Sequence, residues 1–344
     1  MNTHNKKIAN RTRVIAKSSC KTITPIDPDT PDNQYTPNTN EINPNDLHNP
    51  DINLILDNEV KIILNKDTKH LKEILVLSGG GKKGVAQIGA LHCLKKNNLL
   101  NNIKTIAASS VGSVNGLLLC AGYHPMEIFK LIKLVNLNQI TKLEIHNVIT
   151  KYGLDDGSRT MLVLTKIMAA KGFSSDITFE EFYKRTEINF ILSGVCINDK
   201  KVYYFSHTNY PDMKVFDAVR ISISIPIIFT PCVFEGKMFV DGGCIDNFPI
   251  HMFDNQLDKV IGICVIDPIN VVKDIKYIED YLTNVMQCLF EGATRRDVRA
   301  YCKHTIQIRC TKVSDSPTDL INMFDEGFDA AQKKIDTCDM NGVQ

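Results

Sequence analysis

A run of glycines lies between a strand-like and a helix-like segment, and it restricts the chain there to a tight turn. Glu73–Ser78 is a short run rich in branched apolar residues, Gly79–Gly84 contains four glycines and two lysines, and Val85–Leu91 has the composition of a helix. A strand that turns directly into a helix is the basic unit of α/β proteins. The glycine run therefore favours that class.

The same alternation continues to the end of the chain. The strand-like segments are 73–78, 104–109, 189–196, 200–206, 259–266 and 304–309. The helix-like segments are 85–97, 110–121, 125–136, 158–170, 178–185, 276–301 and 318–336. This order predicts a central, mostly parallel sheet flanked by helices. The mostly helical stretch 137–190 interrupts it and is expected to cap one sheet edge.

The first part of the chain has a different composition. Residues 18–50 are dominated by Asn, Thr, Asp and Pro, a mixture that buries too little apolar surface to offset the entropy of folding. We therefore expect a largely disordered polar tail and lead-in over 1–70. The remaining predicted boundaries are a catalytic domain over 71–270 and a helical and strand extension over 271–344 that packs on the same domain.

Composition excludes several classes of protein. The net charge is +1, so no overall field favours nucleic acid. The 11 cysteines show no C-x-x-C pair, which argues against a zinc site and for reduced thiols. No segment reaches the roughly 18 apolar residues of a membrane span. We expect a cytoplasmic protein without a transmembrane segment, in peripheral contact with membranes.

The glycine run itself permits several functions. Its letters also fit the dinucleotide pattern, but that site needs an acidic residue about 20 positions further on, and no Asp or Glu occurs between Gly84 and Glu127. The ending of a phosphate-binding P-loop is also missing. Consecutive glycines can instead point main-chain N–H groups at an oxyanion. Gly80 and Gly81 are the best donors, with positive potential from Lys82 or Lys83, although a plain tight turn would look the same.

A serine follows the next strand-like segment. Ser110 stands between 104–109 and the helix-like Val111–Cys120, with the small residues Ala108 and Gly112 two positions to either side. Small residues at these positions let strand and helix approach closely, which exposes the serine as a nucleophile. Ser109 and Ser113 lack this spacing. A serine at a helix start is also a common N-cap.

A third motif lies far downstream. Asp241-Gly242-Gly243 follows the short strand-like segment 236–240, so its carboxylate is expected at a strand end. Asp followed by Gly is frequent in ordinary turns. The segments 218–226 before it and 246–250 after it form a longer sequence pattern together with this motif.

Taken together, these three motifs and their order resemble the patatin-like phospholipase family over about 71–267. The resemblance implies a three-layer α/β fold and a catalytic dyad of Ser110 and Asp241. It makes the glycine run an oxyanion loop, formed by Gly79, Gly80, Gly81, Lys82, Lys83 and Gly84. It makes the serine turn an elbow, formed by Ala108, Ser109, Ser110, Val111 and Gly112, and Gly242 and Gly243 complete the aspartate motif. Ala108 replaces the first glycine of the usual elbow, and Lys83 stands where many members carry Arg.

The resemblance implies hydrolysis of an acyl ester of a phospholipid or related lipid at a membrane surface, without metal or organic cofactor. An acyl-enzyme would form on Ser110, with Asp241 as base. Two alternatives stay open: a triad whose base is His251 or His304, and a non-catalytic lipid-binding or interaction module with an elbow weakened by Ala108. A nucleotide-binding oxidoreductase is disfavoured by the missing acidic residue. Tyr203, Tyr204, Phe229 and Phe234 are candidates for an acyl pocket, although core packing is their default.

Overall fold

The computed structural model describes residues 72–135, 145–266, 275–276 and 278–340. The predicted tail over 1–70 lies outside the described residues, so the disorder expected there stays a prediction. Within the described part, strands and helices alternate as the sequence predicts.

One large sheet organises the described part of the chain. The strands are β1 (Ile74–Leu77), β2 (Thr105–Ala108), β3 (Gly153–Asp155), β4 (Asn189–Cys196), β5 (Lys201–Phe205), β6 (Ile227–Phe229), β7 (Cys232–Phe234), β8 (Lys237–Asp241), β9 (Val260–Ile266) and β10 (Thr305–Arg309). Eight of them form the sheet in the order β10-β9-β1-β2-β4-β8-β7, and β5 also pairs with β4. The pairs from β10 to β4 are parallel, whereas β5, β7 and β8 are antiparallel additions.

Helices lie against both faces of this sheet. They are α1 (Gly84–Lys96), α2 (Val111–Cys120), α3 (Pro125–Leu134), α4 (Ile145–Lys151), α5 (Ser158–Ala169), α6 (Phe179–Thr186), α7 (Val215–Ser222), α8 (Ile278–Ala300) and α9 (Pro317–Met340). Short 3-10 segments cover Gly81–Lys83, Gly242–Cys244, Pro249–Lys259 and Cys302–His304.

The core has two parts because alternate residues of each strand point to opposite faces. Leu75 and Leu77 of β1 belong to a large cluster with the apolar faces of α1, α2 and α9. Ile74 and Val76 belong to a smaller cluster on the other face, with Phe248 and neighbouring residues of the segment Pro249–Lys259. The arrangement is helices, sheet, helices, which confirms the predicted three-layer α/β fold.

Two glycines bring the C-terminal helix close to the first helix. A Cβ atom on Gly89 of α1 would lie 1.8 Å from the backbone oxygen of Phe324, and one on Gly327 of α9 would lie 1.8 Å from that of Ala86. Any side chain at either position would push the helices apart. Strand β10 and helix α9 thus belong to the same layered core.

The segment between β2 and β8 differs most from the simple alternation. The two-stranded sheet of β3 and β6 has no clear sequence signal, because each strand has only three residues. Helix α7, Val215–Ser222, lies outside all of the helix-like segments that the sequence predicts. Local patterns are weakest in such short elements, whose pairing depends on the rest of the fold.

Candidate active site

Strand register brings the serine and the aspartate to the same edge of the sheet. Ala108 of β2 pairs with Leu192 of β4, so Ser110, two residues further on, is level with Gly194. Gly194 pairs in turn with Asp241 of the antiparallel β8. The glycine run follows the carboxyl end of β1, which is the direct neighbour of β2. Three motifs that are distant in sequence therefore meet at the carboxyl edge of the parallel strands, where open α/β sheets place their ligands.

Ser110 has the backbone of a strained turn. Its φ of 52° and ψ of −129° are unfavourable for a residue with a side chain, and α2 begins at the next residue. A Cβ atom on Gly112 would lie 2.6 Å from the backbone oxygen of Ser78, so only glycine lets the helix approach β1 so closely. Ala108 is fully buried in β2. Its methyl group leaves the turn intact.

A second serine holds this turn. The backbone N–H of Ser110 donates to Oγ of Ser222 on α7 at 3.1 Å, and the Ser222 and Ser113 hydroxyls are 2.7 Å apart. Two residues further on, the backbone oxygen of Ser224 accepts a hydrogen bond from the N–H of Asp241 at 2.9 Å. The segment 222–224 therefore contacts the backbones of both predicted catalytic residues.

Asp241 is a wholly buried carboxyl group next to the serine. Burial raises its pKa to about 7, and the nearby Ser110 hydroxyl and the Gly243 N–H oppose the rise by favouring the charged form. The Gly243 N–H donates to Oδ1 at 2.7 Å. Among the described residues, Oδ2 has no partner at ordinary hydrogen-bond geometry. The Ser110 contact is thus looser than a full hydrogen bond, as catalytic contacts often are before substrate binds.

The glycine loop lies beside Ser110, and its amides are not equivalent. A Cβ atom on Gly79 would lie 3.0 Å from Cβ of Ser110. The N–H of Gly79 donates to the backbone oxygen of Asn247, and that of Lys83 donates to the oxygen of Gly80. The N–H of Gly84 closes the 3-10 turn. Among the described residues, no partner is found for the amides of Gly80 and Gly81, the two donors favoured from the sequence.

Buried amide side chains that the sequence analysis missed form hydrogen bonds with the backbone at both ends of the loop. Gln87 of α1 donates to the backbone oxygen of Ser78 at 2.6 Å, and Asn115 of α2 donates to Oε1 of Gln87 at 2.9 Å. Asn115 also donates to the oxygen of Gly84 at 3.0 Å. The available signal was a single amide within the apolar stretch of each of two helices, because a buried polar group needs a partner.

The site opens into an apolar cavity of about 440 Å³. Ser110, Asn247 and the loop residues 79–83 form one part of its wall. The apolar part is formed by Leu154, Ile225, Pro226, Ile227, Ile228, Val265, Ile266, Met286, Phe290 and Val313. None of the four aromatic candidates from the sequence lines this cavity. The apolar wall comes instead from the segment before β7 and from helix α8.

Two loop lysines have different surroundings. The ammonium group of Lys82 forms an ion pair with Asp315. Lys83 lines the cavity with the glycines. Arg295 of α8 also borders the cavity and pairs with Glu291 at 2.5 Å. Lys82 and Arg295 are therefore each paired with an acidic side chain.

No histidine is among the residues that line the cavity. His251 is 3.4 Å from the Tyr204 hydroxyl and 3.9 Å from Asp246. His304 directly precedes β10, so it lies at the amino end of a parallel strand, whereas Ser110 lies at the carboxyl ends of the parallel strands. Over the described ranges there is also no group of three or more acidic, histidine or cysteine side chains that could hold a metal ion. The same ranges contain no helix with the length and apolar character of a membrane span.

Fold and site together define an α/β protein with a serine and a buried aspartate beneath a glycine loop. The model of the patatin-like phospholipase family matches residues 75–254, just over half of the chain. The chain belongs to this family.

Two viral proteins are each 36% identical to the chain. One is an uncharacterised protein of Acanthamoeba polyphaga mimivirus, aligned over 193 residues, which are 55% of this chain and 64% of the relative. The other is named "Probable lipid hydrolase 463L", from Invertebrate iridescent virus 6, aligned over 191 residues, 54% of this chain and 65% of the relative. The chain thus spans less than two thirds of these relatives.

A solved structure shares the fold. The crystal structure of VipD from Legionella pneumophila superposes with a TM-score of 0.51 at 16% identity, over 78% of this chain and 67% of that one. At this identity the likeness extends to the fold alone.

Proposed function

We propose that the protein is a lipid acyl hydrolase that cleaves carboxylic ester bonds of phospholipids or related acyl lipids. One observation carries the proposal: the buried Asp241, whose pKa is raised to about 7, lies next to the hydroxyl of Ser110, and Ser110 lines an apolar cavity. The family and the name of the iridescent virus relative support a lipid substrate.

In this reaction Asp241 is the base and Ser110 the nucleophile. Asp241 takes the hydroxyl proton while Oγ of Ser110 bonds to the ester carbonyl carbon, and the proton then passes to the leaving alcohol as the ester bond breaks. The acyl group remains on Ser110 until water, deprotonated by Asp241, attacks it. The fatty acid leaves and Ser110 regains its proton. A carboxylate with an ordinary pKa of about 3.9 is a weak base for this work, and burial reduces the mismatch.

The negative charge of the tetrahedral intermediate needs donors. Gly80 and Gly81 are our candidates for these donors, because their amides make no hydrogen bond within the loop. Loss of one such donor typically costs about 2.7–4 kcal/mol of transition-state stabilisation. The N-terminus of α2, which begins directly after Ser110, adds positive dipole character on the same side.

The cavity fits an acyl chain better than a polar substrate. Most of the exposed surface of its wall is apolar. Its volume falls within the range of small-molecule sites, about 300–1,000 Å³. Ile227 has a φ of 71°, a strained value for a β-branched residue, and it lines this wall. All four residues of the segment 225–228, which contains this strained position, line the cavity.

The test is labelling with a fluorophosphonate probe, followed by release of fatty acid from phosphatidylcholine. The wild-type protein should carry the label on Ser110, and both Ser110→Ala and Asp241→Asn should release no fatty acid above background. Matched controls are His251→Gln and His304→Gln, which should retain activity within a few-fold. A large loss in either histidine variant would favour the triad, and an unlabelled, inactive wild-type protein would favour a binding module.

A further inference from the structure

Helix α8 has apolar residues both toward the cavity and toward solvent. Met286, Phe290 and Thr294, spaced by four, line the cavity. On a separate face Tyr281, Val285 and Leu289, also spaced by four, have exposed fractions of 53%, 41% and 53%. Residues spaced by four lie on one side of a helix. We call the side that contains these last three residues the outer face of α8.

The inner face fixes this helix against the proposed active site. A Cβ atom on Gly243 would lie 2.7 Å from the ring of Phe290, so that ring packs directly on the aspartate motif. Oγ1 of Thr294 accepts a hydrogen bond from Nδ2 of Asn247 at 2.9 Å. The outer face is therefore only one helix diameter from the cavity.

Charge changes along the outer face. The stretch from Tyr281 to Phe290 contains no Asp, Glu, Lys or Arg. Arg296 continues the same face two turns after Leu289, about 10 Å further along the axis, and Arg299 follows one turn later. The Arg296 side chain is 79% exposed, and its contact with Asp297, at 3.8 Å, is long for an ion pair. Arg299 is also exposed.

We propose that the outer face of α8 is the surface on which the protein docks to a lipid bilayer. Tyr281, Val285 and Leu289 insert among the acyl chains, and Arg296 and Arg299 contact lipid phosphates. A lipid surface fits better than a protein partner because the face passes from apolar to cationic along one axis, as the bilayer passes from hydrocarbon to phosphate. Helices of this kind bind membranes through apolar burial plus attraction to anionic lipid.

This inference rests on the proposed function and specifies how a lipid ester reaches the site. Docking through the outer face would place the cavity, on another face of the same helix, at the edge of the bilayer. The substrate then has to move only past α8 to reach Ser110.

The test measures binding to vesicles with full-length protein that carries Ser110→Ala, so that the lipid stays intact. Vesicles of phosphatidylcholine alone and of phosphatidylcholine with phosphatidylglycerol are sedimented with the protein. Val285→Glu and Leu289→Glu should each weaken binding by roughly tenfold, because each removes the burial of one apolar side chain. The double variant Arg296→Gln, Arg299→Gln should lose about fivefold per arginine on the anionic vesicles only, and this loss should disappear at high salt.

Leu162→Glu is the matched control. Leu162 is 55% exposed and lies on α5, which contributes no residue to the cavity wall. This variant should bind vesicles like the parent protein, and thermal unfolding should show that all variants fold. Equal binding by the Leu289→Glu and Leu162→Glu variants, whether both unchanged or both weakened, overturns the inference. So does a dimer in size-exclusion chromatography that Leu289→Glu dissociates without affecting vesicle binding, since the face would then belong to a second copy.

The outcomes also separate this inference from the proposed function. Hydrolysis by the wild-type protein together with vesicle binding that the α8 variants do not affect would overturn the docking surface alone. Vesicle binding that depends on Leu289, in a protein that releases no fatty acid, would overturn the hydrolase alone.

Discussion

The Asp241→Asn substitution should abolish hydrolysis and at the same time make the protein more stable. Burial raises the pKa of Asp241 from its usual 3.8 to about 7. Between these two values the folded protein binds a proton that the unfolded chain has lost, so the free energy of unfolding falls as the pH rises. The destabilisation is absent below about pH 4, grows through this window, and is complete above about pH 7.

The size of the effect follows from the shift. About three pKa units at roughly 1.4 kcal/mol each give about 4 kcal/mol above pH 7. At pH 5 slightly more than one unit of the window has been crossed, so the cost is about 1.5 kcal/mol. Asparagine cannot ionise, and its side-chain oxygen can still accept the hydrogen bond from Gly243. The variant should therefore avoid this cost at both pH values.

The assay is urea unfolding of wild-type and Asp241→Asn protein at pH 5 and pH 8. The variant should gain more stability at pH 8 than at pH 5, by about 2.5 kcal/mol. Ser110→Ala is the control, because it also lacks activity but retains the carboxyl group. Since the Ser110 hydroxyl lowers the pKa of Asp241, its removal should extend the pH-dependent destabilisation to higher pH. A stability difference that is equal at both pH values would refute a buried carboxyl group that titrates near neutrality.

Three further predictions follow from the same contacts. The kcat/KM of the wild-type protein should rise with pH and level off above about 7, because only ionised Asp241 can take the Ser110 proton; a flat profile from pH 5 to 9 would contradict this role. Ser222→Ala should lower kcat about tenfold or more with little change in KM, because the Ser110 N–H loses its acceptor. Steady-state kinetics of the wild-type and Ser222→Ala proteins would measure this ratio of kcat values. Gly79→Ala should destabilise the protein by about 1–3 kcal/mol, because its Cβ would lie 2.0 Å from Oδ1 of Asn247. The control Gly292→Ala, in an exposed helix position where a Cβ meets nothing, should stabilise it by about 0.5–1 kcal/mol in urea unfolding.

Much of the framework could be predicted because its signals are local. The predicted ends of β4 coincide with the observed Asn189–Cys196, and those of α1 differ by one residue from Gly84–Lys96. Long periodic segments give such signals. The three-residue strands β3 and β6 do not, and the hairpin of β7 and β8 joins the sheet antiparallel through contacts that no local pattern encodes.

The predicted site shows the same contrast between features with a local sequence signal and features that depend on distant segments. Ser110 could be selected over Ser109 and Ser113 from the spacing of small residues alone. Within the loop 79–84, Gly80 and Gly81 could be favoured as donors from the sequence. The use of the Gly79 N–H elsewhere could not be foreseen, because the oxygen that accepts its hydrogen bond belongs to Asn247, far downstream. Ser222 and Gln87 escaped notice for the same reason: their hydrogen bonds connect segments that are remote in sequence.

The amino-acid sequence by itself determined the family, the layered class of the fold, and the small set of residues that could do chemistry, since turn geometry and strand-to-helix order depend on neighbouring residues. The tertiary structure decided that Ser110 and Asp241 lie side by side, which loop amides have no partner within the described part of the chain, and that α8 forms one wall of the cavity. It also decided the chemistry of the aspartate, because a pKa near 7 arises from burial, and many distant segments of the chain together exclude water from that carboxyl group.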